Sequence, residues 1–295
     1  MKENSIHIGL VGLGIIGSSI FRNVSKSDFK TTGFDIDQEK LDELSSEGLC
    51  ATSSMDSLLN NCNIVITSLP SNQALDQTID SILDKNDSKV QIIIETSTLS
   101  LECKKRNEEK TRNVGISMLD CPISGTGKQA ELADIVLYAS GSEESYESVL
   151  PILETFSKES FFLGHFGNGT KVKLIANLLV SIHNVASAEA VRLAEESGID
   201  LDEFYKVIAS GAGTSKIFEL RAPMMIEREY LPATMKMDVW RKDMRLIREM
   251  INSFDLDSPL FNVTDELYKK AEEKDLDALD TASIFEVLKD KHKES

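Results

Sequence analysis

The feature that most constrains this chain is a change of texture near Gly164. Before it, short runs rich in β-branched residues alternate with longer amphipathic segments, the pattern of parallel strands joined by helical crossovers. The strand candidates are residues 6–11, 31–35, 64–69, 91–95, 117–121, 135–139 and 160–163. Their nearly unbroken apolarity suits strands buried on both faces of one sheet. After Gly164 the β-rich runs vanish and helical periodicity continues almost to the end, with breaks expected at Gly198, Gly211, Pro223, Pro232 and Pro259. A long apolar helix is expected over about residues 170–197, stopped by Gly198. The reading is an α/β domain over residues 1–164, joined through GHFGNG to an all-α domain over residues 165–295, and 295 residues suffice for two such cores.

The first strand runs directly into GLGIIG, which sets Gly12, Gly14 and Gly17 in G-x-G-x-x-G spacing at the start of a helix. Gly12 permits a tight turn, Gly14 lets a pyrophosphate approach the backbone, and Gly17 lets helix and strand pack closely. The helix N-terminus then presents unpaired N–H groups and a positive dipole end to the phosphates. A second strand ends at Asp35, 18 positions after Gly17, where a dinucleotide-binding Rossmann domain carries its ribose-binding carboxylate. Asp35 would accept hydrogen bonds from the ribose of NAD and repel the extra phosphate of NADP, and Asp35-Ile36-Asp37 offers no Arg to welcome that phosphate. Ile15 and Ile16, inside the glycine loop, join the expected NAD contacts.

Composition removes other classes. A formal charge of −17 repels phosphate backbones, so nucleic-acid binding is not expected, and an anionic substrate needs a locally built site. Cys50, Cys62, Cys103 and Cys121 form no C-x-x-C pair or zinc spacing, which leads us to expect reduced thiols and no metal. The N-terminus carries no signal-peptide pattern and no unbroken apolar run reaches about eighteen residues. A cytoplasmic protein without a membrane partner is expected.

The segment TKVKLIANLLVSIHNVASAEA spaces Lys173, Asn177, Ser181 and Asn184 at three- or four-residue steps, so they share one helix face. Their neighbours are mostly apolar, and the face is too poor in charge for a solvated stripe, so it is expected to line a polar cleft. His183, alone among apolar residues, is given no role.

The segments GLGIIG, DCPISGTGKQAELA, GNGTKVKLIANLL and WRKDMRLI resemble, in order and spacing, those of the β-hydroxyacid dehydrogenases, and SLPSNQAL and ETSTLS resemble that family's nicotinamide-contacting loops. The resemblance implies Lys173 as the catalytic lysine, with Asn177 orienting substrate and lysine. It implies that Ser124 and Gly125 bind the substrate carboxylate, that Leu69, Pro70 and Thr98 touch the nicotinamide, and that Lys242 lies on the cofactor side. Thr126 and Ala133 stand where the family usually has Gly, which leaves the substrate open. Thr126 is kept as a substrate contact, and Lys128 is a candidate reader of a second polar group. A lysine in water has a pKa near about 10.4, so proton transfer at neutral pH requires desolvation or a nearby cation, which Lys242 could supply.

The implied activity is reversible NAD-dependent hydride transfer to or from a small anionic β-hydroxy acid or semialdehyde, by a homo-oligomer paired through its helical domain. Two alternatives stay open. An imine reductase would share the scaffold but commonly carries Asp or Tyr at the position of Lys173. A non-catalytic dinucleotide-binding assembly or sensing protein would have lost that lysine.

Overall fold

The computed structural model describes residues 6–288. It divides into two compact units, one ending at Lys173 and the other beginning at Leu174. In the first, β1 (His7–Val11), β2 (Lys30–Phe34), β3 (Ala51–Thr52), β4 (Ile64–Thr67), β5 (Ile92–Glu95) and β6 (Ser117–Asp120) form a parallel sheet in the order β3-β2-β1-β4-β5-β6. Every residue of β4 and β5 is buried, as their unbroken apolarity requires. The crossovers are α1 (Ile15–Ser25), α2 (Gln38–Ser46), α3 (Met55–Leu59), α4 (Asn72–Asp84) and α5 (Leu101–Arg112). Because β1 has β2 on one side and β4 on the other, the chain reverses its winding there, and the carboxyl ends of β1 and β4 border the crevice where such sheets bind ligands.

The last two expected strands do not join this sheet. β7 (Ile123–Ser124), β8 (Val136–Ala139) and β9 (Glu159–Phe162) form a separate three-stranded sheet, antiparallel between β7 and β8 and parallel between β8 and β9. Pro122, which has no N–H to donate to a ladder, separates β6 from β7. The two sheets meet at an antiparallel bridge between Asp120 and Ser140. α6 (Gly127–Glu131) and α7 (Glu143–Phe156) complete this part.

α8 (Asn168–Glu196) starts in the first unit and runs into the second. It ends as expected: Gly198 takes φ +70° and the Ile199 N–H donates to Ala194 O. By length and composition alone α8 could cross a membrane, but Leu174, Ala188 and Val191 are buried in the apolar core of the helical unit. α9 (Leu201–Ala209), α10 (Lys216–Glu227), α11 (Met237–Ser253), α12 (Pro259–Glu272), a 3₁₀ turn (Thr281–Ile284) and α13 (Phe285–Leu288) follow. Pro223 does not break the chain as expected but lies inside α10, whereas Pro259 opens α12, where its missing N–H costs nothing. Asp280 anchors the 3₁₀ turn, accepting from the N–H groups of Thr234, Met235 and Ala282 while paired with Arg221. Burial alone would raise its carboxyl, but Arg221, the N–H groups of Ala282 and Met235 and the Thr234 hydroxyl hold it below the ordinary range.

Both departures from the glycine pattern have a local consequence. Thr126 caps α6, its hydroxyl accepting from Gln129 N while the Gln129 side chain accepts from Thr126 N. Ala133, between α6 and β8, sits at φ +54°, a left-handed conformation that costs an L-residue about 1–2 kcal/mol. Ala133→Gly is therefore predicted to stabilise the protein by about 1 kcal/mol, a Tm rise of about 2–4 °C by thermal unfolding. A lower Tm would contradict the assignment of strain to this residue.

Candidate active site

The glycine loop connects β1 to α1 at the switch point. Gly12 takes φ +90°, and a Cβ there would lie 2.2 Å from Ser68 O; at Gly17 a Cβ would lie 1.9 Å from Gly12 O. Both contacts are with backbone, so neither position accepts a side chain. Gly14 is the opposite case, since among the described residues no atom beyond its own neighbourhood in the chain lies within 4 Å of where its Cβ would stand. Gly14 also caps α1 without a side-chain hydrogen bond, whereas Asp37, Ser54, Ser71 and Ser100 close the next four helices. Close packing behind an open, uncapped helix N-terminus fits a pyrophosphate. Ile15 is 76% exposed beside that N-terminus, while Ile16 is half-buried against the core.

Asp35 follows β2 and is nearly buried. Its Oδ2 accepts from Leu13 N at 2.6 Å and its Oδ1 from Asp37 N at 2.9 Å, which ties the end of β2 to the glycine loop. Asp37, not Asp35, caps α2. Lys40 on α2 brings its Nζ to 3.8 Å from Asp35 Oδ2 and 3.5 Å from Asp37 Oδ2. No Arg adjoins Asp35, and the nearby cation is this lysine one helical turn on, which the neighbouring sequence alone does not mark.

Leu69 and Pro70 follow β4, and Thr98 follows β5, so all three lie beyond the carboxyl edge of the sheet. The Leu69 N–H donates to Ser97 Oγ at 2.7 Å, and the Ser97 N–H donates to Glu95 Oε1 at 2.7 Å. Thr67 also donates its hydroxyl to Glu95. These partners went unnoticed in the sequence, where ETSTLS carries their only trace.

Ser124 ends β7, half-buried, and Gly125 adopts φ +151°, where a Cβ would strike the Ile135 side chain at 2.7 Å. A Cβ on Gly127 would meet Ile15 Cγ2 at 2.7 Å, so this turn lies against the glycine loop. Asn23 of α1 holds it there by donating to Ala130 O at 2.8 Å. The structure thus brings Ser124, Gly125 and Thr126 beside the loop of Gly14 and Ile15. Lys128 is exposed on the five-residue α6.

On α8, Lys173 is half-buried and Asn177, one turn on, is buried with its Nδ2 donating to Asp243 Oδ2 at 2.8 Å. Asp243, which the local sequence does not single out, adjoins Lys242, half-buried on α11. The polar face does not continue as a cleft. Ser181 is buried and returns its hydroxyl to Leu178 O, and Asn184 donates to Tyr268 Oη and Thr281 O at 2.8 Å each. Those two residues serve the interior of the helical unit. Among the described residues no group of three His, Cys, Asp or Glu side chains could hold a metal ion.

Comparison with known proteins bears on the family and the fold. The family model of the NAD binding domain of 6-phosphogluconate dehydrogenase matches residues 7–164, and that of the NAD-binding region of NADP-dependent 3-hydroxyisobutyrate dehydrogenase matches residues 167–288. Glyoxylate/succinic semialdehyde reductase 1 of Arabidopsis thaliana is 29% identical, over 96% of this chain and 99% of its own. The crystal structure of 3-hydroxyisobutyrate dehydrogenase from Salmonella typhimurium superposes with a TM-score of 0.82 at 25% identity, covering 96% of this chain and 99% of that one. An imine reductase from a Pseudomonas species shares the fold at a TM-score of 0.63 and 18% identity, over 97% of this chain and 100% of that one. The chain belongs to the β-hydroxyacid dehydrogenase family, the NAD(P)-dependent oxidoreductases of hydroxy acids and semialdehydes.

Proposed function

We propose that the protein catalyses reversible hydride transfer between NAD and a small β-hydroxy acid or its semialdehyde, with Lys173 as the proton carrier. The observation that carries this reading is the pair of residues on α8: a half-buried Lys173 one turn from a buried Asn177 fixed by Asp243. Membership of the family supports the reaction class. When bound, the nicotinamide accepts or returns the hydride.

The chain's own residues do the rest. In oxidation Lys173 takes the hydroxyl proton of the substrate, and in reduction it returns one to the same oxygen. Asn177, its amide held by Asp243, is a hydrogen-bonding partner of fixed orientation for substrate or lysine. The Ser124 hydroxyl and the N–H groups of the Gly125–Thr126 turn offer a carboxylate neutral donors at a set position, which fixes the distance to the reacting carbon. A neutral anion site suits a chain of charge −17, because no buried cation has to be neutralised when the site is empty. Lys173 also distinguishes this reading from an imine reductase and from a non-catalytic binding protein.

Asp35 supports NAD over NADP, and Lys40 tempers that preference. Two like charges about 4 Å apart repel by roughly 4 kcal/mol at an effective dielectric of 20, before salt screening. The partly exposed Lys40 ammonium beside Asp35 offsets part of this. The kcat/KM ratio of NAD to NADP is predicted at about 10–100. Equal values, or a preference for NADP, would contradict the assignment.

A screen of NAD reduction across 3-hydroxyisobutyrate, glycerate, 4-hydroxybutyrate, threonate and sulfonated analogues tests the substrate class. With the best substrate, Lys173→Ala is expected to lower kcat by about 10²–10⁴ and to leave dinucleotide affinity nearly unchanged. Asn177→Ala, which keeps the proton carrier, is expected to lose less. Near-parental kcat in a folded Lys173→Ala protein would overturn the role of Lys173, and an inactive parent would overturn the function.

A further inference from the structure

Beneath the candidate site lies a buried charge cluster that the proposed reaction does not use. Lys104 of α5 is fully buried, its Nζ 2.8 Å from Asp120 Oδ1 and 3.7 Å from Glu95 Oε1. Glu95 is the last residue of β5 and Asp120 the last of β6, and both are fully buried. A buried ammonium survives only when paired and hydrogen-bonded. Burial alone would lower its pKa, but Asp120 and Glu95 together hold it above the ordinary lysine value, so it stays charged.

Asp120 is the hub. Its Oδ1 accepts from Lys104 Nζ at 2.8 Å and from Thr170 Oγ1 at 2.7 Å; its Oδ2 accepts from Thr170 N at 2.7 Å and Ser140 Oγ at 3.3 Å. Thr170 belongs to the first turn of α8, where backbone N–H groups have no partner within the helix and a carboxylate also answers the helix dipole. Gly169 reinforces the junction. Its N–H donates to Ser140 Oγ at 3.0 Å, and a Cβ there would lie 2.1 Å from Tyr138 O and 2.7 Å from Asp120 O. The first turn of α8 is thus pressed against the ends of β6 and β8 with no room for a side chain at Gly169.

Two chemical groups of the proposed site issue from this point. Lys173 lies three residues beyond Thr170 on the same helix, and Ser124 lies four residues beyond Asp120 along the chain. We propose that Asp120, held in place by Lys104, is a positioning residue: it sets the first turn of α8, and with it the place of the Lys173 amine relative to the Ser124 turn. This inference rests on the proposed role of Lys173. Asp120 touches neither substrate nor cofactor in this scheme and acts through Thr170. A displacement of about 1 Å at a reacting group can cost about 10²-fold in rate, so a modest loosening of this turn should register in kcat.

The mildest test is Thr170→Val, which keeps the shape and the backbone N–H bond to Asp120 but deletes the hydroxyl bond, with Thr170→Ser as its rescue. The parent and both variants are assayed for kcat, substrate KM and NADH affinity by fluorescence, with amide hydrogen exchange followed over residues 169–173. Thr170→Val is expected to lose about tenfold in kcat with NADH affinity within about twofold of parental, and to exchange faster in that segment. Thr170→Ser is expected to restore both kcat and exchange protection. Asp120→Asn, which sets an amide donor against either the Thr170 N–H or the Lys104 ammonium, is expected to lose more than Thr170→Val if it folds. Parental kcat in Thr170→Val, or a loss that Thr170→Ser does not restore, overturns the inference while leaving the proposed function standing. Absence of turnover in the parent overturns the function, and the inference with it.

Discussion

Helix α1 can lie against β1 only because two positions carry no side chain. The Gly17 backbone approaches Gly12 O so closely that a methyl group would overlap it, and Gly12 meets Ser68 O in the same way across to β4. This contact fixes the aim of α1, and the aim of α1 decides where its uncapped N-terminus points. Asp35 then ties the end of β2 to the loop through Leu13 N, and Asn23 ties the Ser124 turn to the helix through Ala130 O. The glycine loop and the Ser124 turn therefore adjoin because both are fastened to one helix.

The electrostatic design follows from the same arrangement. A strongly acidic chain that binds an anionic dinucleotide, and in the proposed reaction an anionic substrate, has two choices: local cations, or neutral donors aimed by the backbone. The candidate site leans on the second, with N–H groups at α1 and at the Gly125–Thr126 turn. Two lysines near it stand in defined company: Lys40 beside Asp35 and Asp37, and Lys104 between Glu95 and Asp120. Buried in that pairing, Lys104 holds strand ends together and is withdrawn from the reacting centre.

Much of this was legible in the sequence, for identifiable reasons. β1, β4 and β5 are nearly unbroken apolar runs buried in the middle of the main sheet, so composition alone exposed them. Gly12, Gly17 and Gly198 were readable because close backbone approach or positive φ favours glycine there. β3 and β7, at two residues each, are too short to establish a period, and the split into two sheets turned on the single Pro122. Pro223 misled because a proline inside a helix and one ending it look alike locally. Pairings hid most completely: Asn177 and Asp243 lie 66 residues apart, and Thr170 and Asp120 lie 50 apart, so no local pattern joins them. Ser181 and Asn184 share the face of Asn177 by periodicity, and only packing assigns them to the core.

The central claim is that nicotinamide and substrate exchange a hydride directly, in a site assembled by Gly12, Gly17, Ser124 and Lys173. Reduction of the best semialdehyde with NADH carrying deuterium at the transferable C4 position tests it most directly. The account predicts deuterium on the product carbon that bears the new hydroxyl, with none lost to water. Product without deuterium, from either C4 diastereomer of the labelled cofactor, would contradict it.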